Sequence, residues 1–249
     1  MMPVALSIKD LGVSFSGFKA VDGVSTEIME GELRVLLGAN GAGKTTLMDL
    51  ISGKTASSQG RVSLYDVEIT NWDEHAIARA GIGRKFQIPT VFRDLSVREN
   101  LLVASCQKRG VFANMGFRFG DEEQARVDET LLMINLSDKA DCQAAVLSHG
   151  QTQWLELGLL IVQNPKILLL DEPTAGMTQT ETQRTAEIIN RLKGKHTILV
   201  VEHDMAFIRE IAEIITVMHM GRVLAEGSIA MIEQDQKVKD AYLGTQRIH

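Results

Sequence analysis

The chain has 249 residues, 45% of them apolar and 23% charged, with four prolines; this describes one compact domain or two closely packed subdomains and excludes collagen-like, low-complexity and disordered classes. Twenty-six basic and 32 acidic residues give a formal net charge of -6, which argues against nucleic acid as a partner because phosphate backbones call for a basic face. The longest apolar runs, at 157–162 and 166–172, stop far short of the roughly 20 residues that cross a bilayer. The N-terminus has no basic and apolar export pattern, and Cys106 and Cys142 are too few for a disulfide framework, so a reduced cytosolic setting is expected.

In chain order, residues 4–37 read as short strands punctuated by Gly12, Gly17, Gly23 and Gly31, with 32–37 the most strand-like run. A glycine-rich loop and a helix beginning near Lys44 follow, and 60–69 reads as a short hairpin. From about 90 to 160 the period is helical. Ser96 and Glu99 have capping-box spacing, acidic residues open the run from Asp121, and 107–120 has no clear period. The runs KILLL (166–170) and HTILVV (196–201) read as buried parallel strands joined by an amphipathic helix that ends near Gly194. A helix, a strand pair and a short polar helical tail complete the chain.

Three strings carry chemistry. Gly38-Ala39-Asn40-Gly41-Ala42-Gly43-Lys44-Thr45 fits G-x-x-x-x-G-K-S/T between a strand and a helix. Such a loop turns successive backbone N–H groups toward phosphate oxygens, with Lys44 reaching the β- and γ-phosphates, Thr45 suited to magnesium and Thr46 next to it in the loop. Asp171 and Glu172 end a buried strand, where ligands of open α/β sheets bind; Asp171 suits magnesium and Glu172 an attacking water. Ser148, His149, Gly150 and Gln151 open an apolar-periodic helix, a second helix N-terminus able to meet an anion.

The string LSHGQTQWLELGLLI, about 20 residues before Asp171, resembles the L-S-G-G-Q signature of ATP-binding cassette (ABC) ATPases, and the resemblance covers essentially the whole chain. It implies an α/β P-loop NTPase fold: a RecA-like parallel-sheet core with an N-terminal antiparallel β subdomain (together about 1–89 and 161–249) and an inserted helical subdomain (about 90–160). It also implies ATP and Mg2+ as ligands. Phe15 would stack on adenine, Gln87 would contact magnesium and water, and His203 would meet the γ-phosphate. A head-to-tail dimer, with itself or a second cassette subunit, would clamp ATP between one subunit's phosphate loop and Ser148–Gln151 of the other.

Two departures stand out: His149 replaces the first signature glycine, and Ala175-Gly176-Met177-Thr178 stands where many relatives have S-A-L-D. Both resemble importers of amino acids and amides. Longer strings resemble most closely the ATP-binding subunit of bacterial urea importers, a branch of the branched-chain amino acid uptake group. The implied setting is the cytoplasmic face of a bacterial inner membrane, under two permease subunits served by a periplasmic solute-binding protein. A branched-chain amino acid importer is the alternative; a soluble or export cassette, of iron–sulfur assembly or lipopolysaccharide type, is a more distant one. Arg84, Lys85, Lys108, Arg109 and Arg118 read as solvated surface, and Ile88–Phe92 as an edge that would receive a membrane subunit.

Overall fold

A computed structural model describes residues 2–84, 91–106 and 120–246. Contacts divide the chain into two compact units, one formed by 1–84, 166–173 and 192–249 and the other by 85–165 and 174–191. Gln87, most of the Ile88–Phe92 edge, Lys85 and the segment 107–119 with its basic residues lie outside the described residues.

The first unit contains two sheets. Strands β1 (Val4–Phe15), β2 (Phe18–Met29), β4 (Gln59–Leu64) and β5 (Val67–Glu68) form an antiparallel sheet in the order β2-β1-β4-β5. The short strands expected from the glycines are in fact two strands of 12 residues each. Gly12 and Gly23 lie inside them, because register shifts at Ile8/Leu11 and Leu11/Val13 absorb the irregularity without ending the pairing.

The second sheet runs β10-β9-β3-β8-β7-β6, built from β3 (Leu33–Gly38), β6 (Ile82–Arg84), β7 (Ile167–Asp171), β8 (Thr197–Val201), β9 (Ile214–His219) and β10 (Arg222–Gly227). β6, β7, β8, β3 and β9 are parallel neighbours, and only β10 turns back antiparallel on β9. β8 is buried along its whole length, and β3 likewise, as unbroken apolar runs covered on both faces require. Helix α1 (Lys44–Ile51) adds Leu47, Met48, Leu50 and Ile51 to the core shared with Leu36, Leu169, Leu199 and Val201. The remaining helices of this unit are α2 (Glu74–Ala80), α7 (Met205–Ile211), α8 (Ile229–Gln234) and α9 (Gln236–Gln246). Asp73 caps α2 and Asp204 caps α7, each carboxylate accepting N–H groups of the first turn.

The second unit is helical: α3 (Val97–Ser105), α4 (Asp121–Met133), α5 (His149–Ile161) and all of α6 (Gln179–Leu192) but its last residue. Ser96 accepts from the N–H of Glu99 while the Glu99 carboxylate accepts from the N–H of Ser96, which closes the capping box of α3. Gly158 lets α5 approach Ile134 and Leu101 closely, since a Cβ there would press on both. Trp154 is buried, and its indole N–H donates to Thr185 Oγ1 at 2.9 Å, so the largest side chain of the interface between α5 and α6 is satisfied.

A buried cation also ties β3 to β2 and β10 in the first unit. Arg34 on β3, only 5% exposed, meets Glu32 at 2.7 Å and Glu226 on β10 at 2.7 Å, and donates to Thr26 on β2 at 2.6 Å. Replacing it with methionine leaves the nearly buried Glu32 carboxylate without its cation, while Glu226 keeps part of its hydration. Arg34→Met is expected to cost about 3 kcal/mol, read as a lower urea midpoint, whereas a loss below about 0.5 kcal/mol would show the network to be solvated.

Candidate nucleotide site

The phosphate loop follows directly from the end of β3. Gly43 is the N-cap of α1 at φ 100°, a left-handed conformation open to glycine, and a Cβ there would collide with the Ala20 carbonyl. The cap has no side-chain acceptor, and the first turn of α1 contains no acidic residue. Its N–H groups and its partial positive charge are therefore left for an external anion. Lys44 folds back over the loop and donates to the carbonyls of Gly38 at 2.7 Å and Ala39 at 3.0 Å. Asn40 and Gly41 are at the loop's open side, Ala42 is buried against the core, and Thr45 and Thr46 stand in the first turn of α1.

Sheet register brings the other charged groups to the same edge. Leu36 on β3 pairs with Val201 on β8, and Val201 pairs with Asp171 on β7, so the ends of β3, β8 and β7 are level. Asp171 is the last residue of β7. Glu172, at φ 45°, takes a left-handed backbone conformation that costs a side-chain-bearing residue about 1 kcal/mol, and its N–H donates to Val201 O at 3.0 Å. His203 follows β8 and is largely exposed, with Nδ1 3.6 Å from the Glu172 carboxylate. Beneath it, buried Glu202 accepts the N–H of His203 at 2.9 Å and so fixes the turn that presents the ring.

Burial governs the electrostatics here. It pushes the Asp171 carboxyl above the usual carboxylate range, an effect opposed by Arg84 and reinforced by Glu172. Burial likewise lowers the Lys44 ammonium, opposed by Glu172 and Asp171. Asp171 Oδ2 is buried and has no hydrogen-bond partner among the described residues, its nearest cation being Arg84 at 3.9 Å. That oxygen, together with the Thr45 hydroxyl, suits a hard divalent cation such as magnesium.

Arg84 corrects the sequence expectation. It is not solvated surface: it is 7% exposed, donates to Ser52 Oγ at 2.7 Å and meets Asp49 on α1 at 2.6 Å. The sequence held no cue for this, because Asp49 lies 35 positions away and meets Arg84 only through the packing of α1 against the sheet. Phe15, at the end of β1, is 49% exposed, and Phe18 opposite it across the turn is more so. An exposed ring of this kind can stack on a base, and either aromatic meets that description.

In the helical unit, Ser148 is the N-cap of α5. Its hydroxyl accepts from the N–H of Gln151 at 3.2 Å, and the Gln151 side chain accepts from the N–H of Ser148 at 3.0 Å. His149, in place of a glycine, hydrogen-bonds through Nε2 to the Ala175 carbonyl at 3.2 Å. Glu181, which the sequence reading passed over, contacts this segment; the only sequence signal for it is its capping-box spacing from Thr178.

A strand, a glycine-rich loop and a helix beside a carboxylate-bearing parallel strand define a P-loop nucleoside triphosphatase. The chain belongs to the ABC transporter family, whose model matches residues 21–175. Across 248 residues it is 38% identical to the high-affinity branched-chain amino acid transport ATP-binding protein LivG of Escherichia coli strain K12, covering 96% of this chain and 97% of that one. The fold matches the ADP conformation of an ATP-binding cassette of an ABC transporter with a TM-score of 0.86 and 31% identity, over 98% of this chain and 100% of that one. It also matches a dimeric, post-hydrolysis cassette bound to ADP and Pi, with a TM-score of 0.73 and 25% identity over 90% and 98% of the two chains. The protein is thus an ATPase that couples hydrolysis to transport, and its architecture is the P-loop ABC fold expected from the sequence.

The raised Asp171 carboxyl makes a signed prediction for the nucleotide-free protein. A carboxyl raised above 3.8 is favoured in its protonated form by folding, so its stabilising contribution is complete below that value and is lost as pH rises through the raised pKa. Asp171→Asn does not titrate. The variant should have the higher melting temperature at neutral pH, and the gap should close as pH falls below about 4. A variant less stable than the parent at pH 7 would contradict this.

Proposed function

We propose that this chain is the energy-coupling subunit of an importer of branched-chain or similar hydrophobic amino acids. Near full-length likeness to LivG is the observation that carries the solute class, and it favours the branched-chain alternative over the urea expectation. No described helix is long and apolar enough to cross a membrane. In this reading the subunit sits peripherally on the cytoplasmic face of the inner membrane. It works under two permease subunits supplied by a periplasmic solute-binding protein, paired with a second copy or a second cassette subunit. Its helical subdomain, about 90–160, ends in the signature helix.

The phosphate loop, Gly38 to Thr46, cradles the triphosphate with its backbone N–H groups, and Lys44 leaves the carbonyls of Gly38 and Ala39 for the β- and γ-phosphates. Phe15 stacks on the adenine. Thr45 and Asp171, with Gln87, would hold Mg2+, which when bound neutralises phosphate charge. Glu172 orients and polarises the attacking water, and its exchange of contact with His203 lets that imidazole turn to the γ-phosphate. Ser148, His149, Gly150 and Gln151 contact the ATP bound by the partner subunit. Closing on ATP and reopening after hydrolysis biases the permease between two states.

Glu172→Gln should retain ATP binding and cut hydrolysis by about a hundredfold or more, since positioned groups supply most of phosphoryl-transfer catalysis; turnover near the parent's would refute the role. In native cells, the same substitution should abolish uptake of labelled leucine and spare labelled urea, and the reverse pattern would restore the urea reading. Lys44→Ala should erase the stabilisation by ATP, which for the parent amounts to about 2.7 kcal/mol at a hundred times Kd. Thermal melts with and without nucleotide measure it.

A further inference from the structure

Glu181 lies three residues after Thr178, in the first turn of α6. One of its oxygens, Oε2, accepts from the Thr178 N–H at 3.0 Å and from the Thr178 hydroxyl at 2.9 Å, which caps the helix. The other oxygen reaches outside its own helix. Oε1 accepts from the Ser148 hydroxyl at 3.3 Å and lies against Gly150, where a Cβ would collide with it. These hydrogen bonds hold the carboxyl below the usual range, those from Thr178 most of all. A cap requires only Oε2. Oε1 is instead an anion seated at the N-terminus of α5, a 13-residue helix with no acidic residue in its own first turn. His149, bonded to Ala175 and packed on Gly176, keeps the 175–181 stretch against this end of α5.

We propose that Glu181 is a built-in competitor for the phosphate received by the Ser148–Gln151 segment: its carboxylate holds the Ser148 hydroxyl and sits against Gly150 until the ATP of a second copy displaces it. This rests on the reading of that segment as the one that contacts the partner's ATP. One set of donors serves two anions, and the two negative charges repel, so the carboxylate must rotate away as the triphosphate arrives. The exchange raises the ATP concentration at which two copies close. It also holds the segment in a single conformation before ATP comes.

The test is sedimentation velocity of the full chain carrying Glu172→Gln, titrated with ATP, with and without Glu181→Gln. Glutamine keeps both capping-box roles and removes the charge. Half-maximal dimer formation should shift to about three- to tenfold lower ATP, the scale of a single charge at a helix N-terminus. Thr178→Val, which removes only the cap hydroxyl, should lower the melting temperature and leave the ATP requirement unchanged. If Glu181→Gln lowers the melting temperature in the same way and does not move the ATP requirement, Glu181 is a helix cap only and the proposal is overturned. If Ser148→Arg leaves ATP-driven dimers intact, or no such dimer forms in any variant, the reading of the segment falls and the proposal with it. A dimer abolished by Ser148→Arg yet indifferent to Glu181→Gln overturns the proposal alone.

Discussion

Asp171 is a carboxylate that the fold buries without fully satisfying it, and much of the first unit is arranged around that fact. Its Oδ2 is out of water and 3.9 Å from Arg84, too far for a hydrogen bond. A buried charge in this condition is tolerated only if cations stand nearby, and Arg84 and Lys44 supply them. Arg84 is in turn held by Asp49 of α1 and by Ser52 just past its end, so the helix that begins at the phosphate loop also neutralises the edge of β7. An oxygen kept short of a partner at a strand end is a standing demand for a cation, and it costs the nucleotide-free protein stability.

The phosphate loop follows the same logic with the sign reversed. α1 begins with a glycine cap, no side-chain acceptor and no acidic first turn, whereas α2, α3 and α7 each begin with a polar cap. Of these four helices, the one without a side-chain cap is the one that follows the glycine-rich loop. Lys44 donates to two loop carbonyls. At the start of α5 the donors are instead taken by Ser148, Gln151 and the Glu181 carboxylate. One helix N-terminus is open and the other is answered from within the chain.

Most of the secondary structure was legible from local signals. The strand, loop and helix around Lys44, the capping box of α3, the start of α5, the buried strands β7 and β8 and the helix joining them all appear where apolar period and cap residues placed them. The exceptions share a cause. β1 and β2 run through their glycines because the sheet absorbs bulges, and a bulge depends on the partner strand. Arg84 reads as surface by composition, since arginine is usually exposed, but it is buried by partners on α1 and β7 that are distant in the chain. The solute class was the least legible, because a fold and its nucleotide site do not specify what is transported.

By itself the sequence determined the chemistry available: a phosphate loop, a strand ending in two carboxylates, a histidine after the next strand and a second capped glycine motif, each a local pattern whose meaning rests on spacing of a few residues. Only the tertiary structure decided which of these share an edge and which charges are answered. The pairing of β3 with β8 and β8 with β7 aligns Leu36, Val201 and Asp171, and the turn after β7 lets Glu172 meet His203. The packing of α1 buries Arg84, and the α5–α6 contact sets Glu181 on Ser148 and Gly150. Register and burial are relations between segments far apart in the chain, so no local pattern of residues can contain them.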